Sequence, residues 1–226
     1  MLRVFVVATA TLLLAGCGDS FPDYRYRMTV EVVTPNGLKA GSSVIEVQTT
    51  EVRTMQDSSG KTFRGKLRGE AVAVDLGNGQ TLFALLGSPD EPNAAKGYAH
   101  WALKPVRTTG PDMDGYREHL SQMVEVKGVH EMPRDHWPFM VAFSNVNDPA
   151  SVFEVKAVEV SQVFGSGTYI KRVTIELTGD SVTTDLENHL TWVDTFHGAL
   201  AGDRRYRSSI PAQNLTARAF RQGIDS

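Results

Sequence analysis

The chain has 226 residues, of which 41% are hydrophobic and 22% charged, and its formal net charge is -3 at pH 7. These values are typical of a globular protein with room for one large domain or two small ones around a substantial core. A net acidic chain lacks the strongly basic surface of a nucleic-acid-binding protein, so the composition argues against that class. Cys17 is the single cysteine, which excludes an internal disulfide bond.

The first 16 residues have the pattern of an export signal. Arg3 lies in a short basic region, residues 4–14 are an apolar run, and Ala15 and Gly16 are small residues before a cleavage site. The apolar run is too short to cross a bilayer, which takes roughly 20 residues. We therefore predict a signal peptide over residues 1–16.

Leu14-Ala15-Gly16-Cys17 resembles the lipobox of bacterial lipoproteins. The resemblance implies that the Cys17 sulfur receives a diacylglycerol, that the chain is cut before Cys17, and that the new amino terminus is acylated. Two or three acyl chains hold a protein firmly at a membrane. The alternatives are an ordinary secretory peptide with an incidental cysteine and an N-terminal hydrophobic helix.

The same resemblance implies a place in the bacterial cell envelope, facing the periplasm. In enteric bacteria Asp directly after the cysteine favours the inner membrane, and here that position is Gly18. This favours the outer membrane, while Asp19, one position later, argues in the other direction. We expect residues 17–25 to be a short lipidated tether and residues 26–226 to be a single periplasmic domain, with a sub-boundary near 146–150 as the alternative.

Several segments of the mature chain show the period-two alternation of half-buried strands. Residues 28–32 and 45–49 alternate in this way, and Pro35-Asn36-Gly37 between them is a turn signal. Residues 69–87 predict a β-hairpin around Gly77-Asn78-Gly79. The remaining predicted strands cover 139–143, 152–160 and 169–178, and the polar stretch 57–68 is interpreted as a loop or edge hairpin.

Two segments have a helical period. In residues 111–124 an apolar stripe recurs at helical spacing, carried by Met113, Tyr116, Leu120 and Met123. In residues 184–197, Thr184 and Glu187 fit a capping box, in which each side chain satisfies the other's free amide. The elements do not alternate regularly, so we predict a β-rich α+β fold, mainly an antiparallel sheet or sandwich with two or so helices.

Parts of the mature chain resemble segments of uncharacterised proteobacterial lipoproteins. The resemblance rests on residues 26–32, Gly37, residues 41–47 and residues 164–192, less than half of the mature chain. That family has no activity that we can name, so the resemblance implies no functional residues.

The histidines are the first candidates for chemistry. His130-Glu131 lies near Asp135 and His136, but the spacing of six and the intervening Pro133 do not fit a zinc-binding helix. A loop could still gather these groups around a metal, and the alternative is a surface loop whose histidines bond to backbone or water. His189 and His197 share the second predicted helix with Asp194, where His197 is expected to face the core.

No motif for a nucleophile or a phosphate loop stands out. Gly165-Ser166-Gly167 and Gly41-Ser42-Ser43 lack the spacing of a nucleophile elbow, and Gly77-Asn78-Gly79 sits in a hairpin. Two basic runs could touch anionic headgroups, or could be solvated faces. They comprise Lys61, Arg64, Lys66 and Arg68, and then Arg204, Arg205, Arg207, Arg218 and Arg221.

The sequence thus predicts a membrane-anchored envelope lipoprotein whose domain binds an envelope protein, a small ligand or the membrane. Cys17 is the one residue with a predicted chemical role, and no cofactor, metal ligand or catalytic residue is predicted. The alternative is an anchored periplasmic hydrolase or metal-dependent enzyme whose site forms only in three dimensions. It requires three of the six histidines, with nearby carboxylates, to converge in a concave site.

Overall fold

The computed structural model describes residues 21–53, 61–104, 113–201 and 208–224. These residues form ten strands in two antiparallel sheets together with three helices, which confirms the predicted β-rich α+β class. The strands are β1 (Tyr24–Thr34), β2 (Gly37–Arg53), β3 (Lys61–Glu70), β4 (Val72–Gly77), β5 (Gln80–Ala84), β6 (Val129–Glu131), β7 (Met140–Phe143), β8 (Val152–Glu154), β9 (Tyr169–Leu177) and β10 (Arg221–Gln222). The helices are α1 (Ala95–Leu103), α2 (Met113–Met123) and α3 (Val160–Phe164).

The first sheet has the strand order β10-β3-β2-β1-β9-β6. Strands β1 and β2 form a hairpin in which Thr34 pairs with Gly37, so Pro35 and Asn36 make the predicted turn. Gly37 has a φ of 108°, which a residue without a side chain adopts at little cost. Along β1 every second residue is buried, as the alternation in the sequence predicted.

The second sheet has the strand order β4-β5-β7-β8. Asn78 and Gly79, with φ of 54° and 76°, make the two-residue turn between β4 and β5. Positive φ at both central residues is the requirement of the type I′ hairpin turn, which matches the twist of the flanking strands. The predicted hairpin is therefore confirmed.

The second sheet is buried on both of its faces. Val72, Val74 and Leu82 pack towards the first sheet in one hydrophobic cluster. Phe83 belongs to a second cluster, on the opposite face, which the C-terminal part of the chain covers with residues such as Phe220. A strand covered on both sides needs apolar residues in succession, which explains the unbroken apolar run at residues 82–86.

The helices agree with the sequence prediction in part. Helix α2 confirms the predicted helix, and Leu120 and Met123 of its apolar stripe are fully buried; Pro111 lies outside the described residues. Helix α1 was not predicted, although its buried side chains have helical spacing. They are Ala95, Tyr98, Ala99, Ala102 and Leu103.

The helix predicted over residues 184–197 is wrong. The segment contains a 3₁₀ turn at Leu186–Asn188 followed by turns, and no side chain at its start caps it. The carboxylate of Glu70 accepts hydrogen bonds from the backbone amides of Asp185 and Leu186 at 2.8 and 3.0 Å. Glu187 does not reach back to Thr184 because it accepts a hydrogen bond from Arg221 at 2.5 Å. Tertiary partners thus replace both halves of the predicted capping box.

Two further segments differ from their predictions. Residues 61–70, interpreted as part of a loop or edge hairpin, form strand β3, which pairs with β2 over eight residues from Glu46↔Arg68 to Arg53↔Lys61. The strand predicted over 152–160 ends after three residues at Glu154, and helix α3 begins at Val160. The predicted strands at 139–143 and 169–178 are confirmed as β7 and β9. In the described part of the chain, no helix has the length and apolar character needed to span a membrane.

Candidate functional site

The predicted lipid attachment site, Cys17, lies outside the described residues, as do Gly18 and Asp19. The first described residue, Phe21, is 3% exposed and packs its ring against Tyr116 at 5.8 Å between centroids. The guanidinium of Arg117 lies over the same ring at 4.9 Å. Phe21, four positions after Cys17, is therefore already part of the folded domain.

The structure does not assemble the first histidine constellation. The His130 ring is 2.9 Å from the backbone carbonyl of Lys127, within hydrogen-bonding distance. The His136 ring stacks on Trp101, with 3.9 Å between centroids and 7° between planes, and its Nε2 lies 3.6 Å from the carboxylate of the adjacent Asp135. His130 thus bonds to backbone, as the surface-loop interpretation expected, while His136 makes an aromatic contact that the sequence did not indicate.

The second pair of histidines, His189 and His197, is exposed. His189 lies with its ring 6.5 Å from that of Phe83, edge to face, at the border of the second hydrophobic cluster. The expectation that His197 faces the core is wrong, because the segment is not a helix and the residue is exposed. Sequence spacing placed His197 on an apolar stripe that does not exist in this conformation.

One histidine pair was missed by the sequence reasoning. His100 of α1 and His119 of α2 approach to 2.9 Å between Nδ1 and Nε2, with nearly coplanar rings. In this contact one nitrogen donates and the other accepts, so the two rings cannot both carry a second proton there. Zinc sites in proteins use three or four protein ligands. Within the described residues, no three His, Cys, Asp or Glu side chains form a group that could hold a metal ion.

The two glycine-serine segments have structural roles, one as a turn and the other inside strand β2. Gly165 and Gly167, with φ of 104° and 83°, connect α3 to β9, as the sequence predicted. Gly41 serves packing, because a Cβ there would lie 2.0 Å from the backbone oxygen of Ala73 in the second sheet.

The C-terminal strand brings distant charged residues together. Strand β10 pairs with β3, so that Arg221 lies opposite Glu70 and Gln222 opposite Gly69. The Gln222 side chain also donates to the backbone carbonyl of Pro92, just before α1, at 3.0 Å. Arg221 and Glu70 are 151 residues apart in the chain, and their pairing brings the second basic run beside β3, the strand that carries the first.

Arg221 is the centre of an ion-pair cluster that extends from the buried Glu70 to the exposed Glu187. Its Nε donates to Glu70, its Nη2 to Glu187 at 2.5 Å, and its Nη1 to Asp194 at 2.5 Å. The Arg221 side chain is 7% exposed, and that of Glu70 is fully buried. We call these four residues the Arg221 cluster. Three carboxylates around one guanidinium fix the C-terminal strand to the turn at residues 186–188.

The pKa values in the Arg221 cluster follow from burial and pairing. Burial opposes the charge of Arg221, but hydrogen bonds to Asp194 and Glu187, with the charge of Glu70, outweigh it and raise the pKa of Arg221. Burial raises the pKa of Glu70 above its ordinary value, although Arg221 and the backbone amide of Leu186 offset part of that effect. Arg221 therefore remains charged, and Glu70 depends on it for compensation.

Beside this cluster lies a groove of about 480 Å³ in which residues of the two basic runs meet. Arg204, Arg205 and Arg207 of the second run lie outside the described residues. The walls of the groove come from the outer edge of β3, the start of α1 and the C-terminal segment. We call it the cationic groove. Four of its lining residues are the cations Arg64, Lys66, Lys96 and Arg218, in addition to Arg221 of the neighbouring cluster.

Lys96 is held firmly inside the cationic groove. Its ammonium donates to the backbone carbonyl of Gly65 at 2.5 Å. Gly65 suits this contact because a Cβ there would lie 3.3 Å from the Lys96 side chain. Burial and then the positive charge of Arg218 lower the pKa of Lys96. Lys96 is therefore partly withdrawn from water and lies near a second cation.

Comparison of the chain with protein-family models, curated proteins and solved structures gave no match, so no residue's role comes from a relative.

Proposed function

We propose that this protein is a membrane-anchored lipoprotein of the bacterial cell envelope, with its lipid on Cys17. The observation that carries the proposal is the lipobox-like Leu14-Ala15-Gly16-Cys17 behind a short apolar run. Cys17 is the single cysteine, so no internal disulfide bond competes with acylation for its thiol. The cysteine is therefore available for acylation.

The start of the fold supports an anchor close to the domain. Phe21 is packed against α2, and four extended residues reach at most about 14 Å from Cys17. A lipid on Cys17 would hold the β-rich domain against the membrane surface rather than on a long stalk. We propose that the domain faces the periplasm, with the outer membrane favoured by Gly18, and that it acts as a binding or interaction domain.

Metabolic labelling with a palmitate analogue tests the anchor. We expect label on the wild-type chain and none on a Cys17→Ser variant. A Ser20→Ala variant, which changes a neighbouring side chain but keeps the thiol, should label like the wild type. Equal labelling of the wild type and the Cys17→Ser variant would contradict the proposal.

A further inference from the structure

The cationic groove contains three cations, Arg64, Lys66 and Arg218, for which the described residues supply no ion-pair partner. The ion pairs formed by the described residues do not include Arg64, Lys66 or Arg218. All three side chains are exposed, whereas no acidic residue lines the groove. The three acids of the Arg221 cluster, beside the groove, are already paired with Arg221.

Such a groove favours a bound anion on electrostatic grounds. Lys96 is partly buried between β3 and α1, and its pKa is lowered by that burial and by Arg218. An anion near these groups would replace the lost solvation of Lys96 and screen it from Arg218. Phosphate oxygens accept hydrogen bonds from both lysine and arginine side chains.

The position of the groove points to the source of that anion. The Tyr24 hydroxyl, at the start of β1, donates to the backbone carbonyl of Lys96 at 3.3 Å. Phe21 is already packed in the fold, and the four residues from Cys17 to Phe21 reach at most about 14 Å. The chain therefore enters the domain beside the groove, and a lipid on Cys17 keeps the groove within reach of the bilayer.

The opposite end of the first sheet lies far from the tether. Lys39 pairs with Val32, eight residues along β1 from Tyr24. At about 3.3 Å per residue, this cation lies roughly 26 Å further along the strand direction. Lys39 is thus a natural internal reference for a residue that does not face the membrane.

We propose that the cationic groove binds the phosphate headgroups of anionic phospholipids in the membrane that carries the anchor. This inference rests on the proposed lipid anchor and adds a second, electrostatic attachment that fixes the orientation of the domain. Arg64, Lys66 and Arg218 contact the headgroups, and Lys96 is a positioning residue that holds β3 against α1.

The test uses the full lipidated chain, reconstituted into vesicles of phosphatidylcholine alone or mixed with anionic phosphatidylglycerol. The rate at which a water-soluble acylating reagent modifies each lysine is followed by mass spectrometry. With anionic lipid, Lys66 should react about fivefold more slowly, the effect expected from one cation held at an acidic surface. Lys39 should react at the same rate in both vesicles.

Two further conditions separate the headgroup from other sources of protection. High salt should restore the Lys66 rate, because it screens charges at the surface. Inorganic phosphate added to phosphatidylcholine vesicles should leave the rate unchanged. Protection by inorganic phosphate alone, or equal protection of Lys39, would overturn the proposal, and so would an unprotected Lys66 in anionic vesicles.

A charge-matched pair of variants sharpens the result. Arg64→Gln with Arg218→Gln should abolish most of the protection of Lys66. Lys39→Gln with Lys156→Gln removes the same charge elsewhere and should leave the protection intact. The urea unfolding curve of each variant checks that it folds. If a variant does not fold, the Lys66 rates of the wild-type chain in the two kinds of vesicle still test the proposal.

The same samples separate this inference from the proposed anchor. The intact mass of the chain reports whether Cys17 carries acyl groups. An acylated chain with an unprotected Lys66 overturns the headgroup site alone. A chain without acyl groups overturns the anchor, and with it the orientation on which this site depends.

Discussion

Arg218 and Arg221 are three positions apart in one basic run, yet they end in opposite environments. Arg221 is 7% exposed and surrounded by three carboxylates. Arg218 is exposed in the cationic groove and forms no ion pair among the described residues. Cations that are close in the sequence therefore need not lie on the same surface of the folded protein.

The difference follows from strand β10. Arg221 lies opposite Glu70 in the pairing with β3, so its side chain enters the interior, where a charge requires a partner. Arg218 lies before the strand, in the turn at Ala217–Ala219, and has no such constraint. One arginine thus holds the fold together, and the other is available to a ligand.

The largest expected effect is that of Arg221→Gln. It leaves the buried Glu70 carboxylate without its counter-ion, and removing one member of a buried ion pair costs about 3–5 kcal/mol. Arg218→Gln, three residues away, should change stability by no more than about 0.5 kcal/mol. Urea unfolding measures the loss of stability in both variants. Equal losses would contradict the claim that Arg221 stabilises the fold while Arg218 does not.

The cost of Arg221→Gln should depend on pH. Burial raises the pKa of Glu70 above its ordinary value of 4.5, and loss of Arg221 should raise it further. A carboxyl whose pKa is raised by folding contributes less stability as the pH rises from the unfolded pKa to the folded one.

Lowering the pH from 8 to 5 should therefore reduce the cost of Arg221→Gln by about 1 kcal/mol or more, because protonated Glu70 needs no counter-ion. Urea midpoints of the variant and the wild type, measured in parallel at several pH values, test this. A cost that stays constant or grows as the pH falls would show that Glu70 does not depend on Arg221.

The smallest expected effect concerns Thr184. As the cap of a helix, its replacement by alanine would cost about 0.5–2 kcal/mol. Because Glu70 accepts the hydrogen bonds from the amides of Asp185 and Leu186, Thr184→Ala should cost less than about 0.5 kcal/mol. A loss of 1 kcal/mol or more in urea unfolding would favour the capping box over the Arg221 cluster as the determinant of this turn.

The features that the sequence predicted correctly depend on near neighbours. The alternation in β1, the turn at Asn78 and Gly79, and the stripe of α2 are all set within a few residues. Helix α1 was missed because three of its five buried residues are alanines, which mark an apolar face weakly. Strand β3 was missed because Arg64, Lys66 and Arg68 alternate with residues that include Gly65, which made the segment look like a polar loop.

The candidate site depends on pairing between distant segments, which a single sequence does not encode locally. Glu70 replaces Thr184 at the start of the 3₁₀ turn from 115 residues away. The cationic groove likewise forms only when β10 joins β3. The sequence identified the basic runs. It could not predict that residues of the two runs meet, nor that three carboxylates would pair with Arg221.

The mass of the mature amino terminus, measured on protein isolated from the membrane, tests the central claim most directly. The lipoprotein account predicts that the chain begins at Cys17 and carries a diacylglycerol, with a further acyl group on its amino terminus. A chain that retains residues 1–16, or one that begins at or after Cys17 without acyl groups, would contradict it.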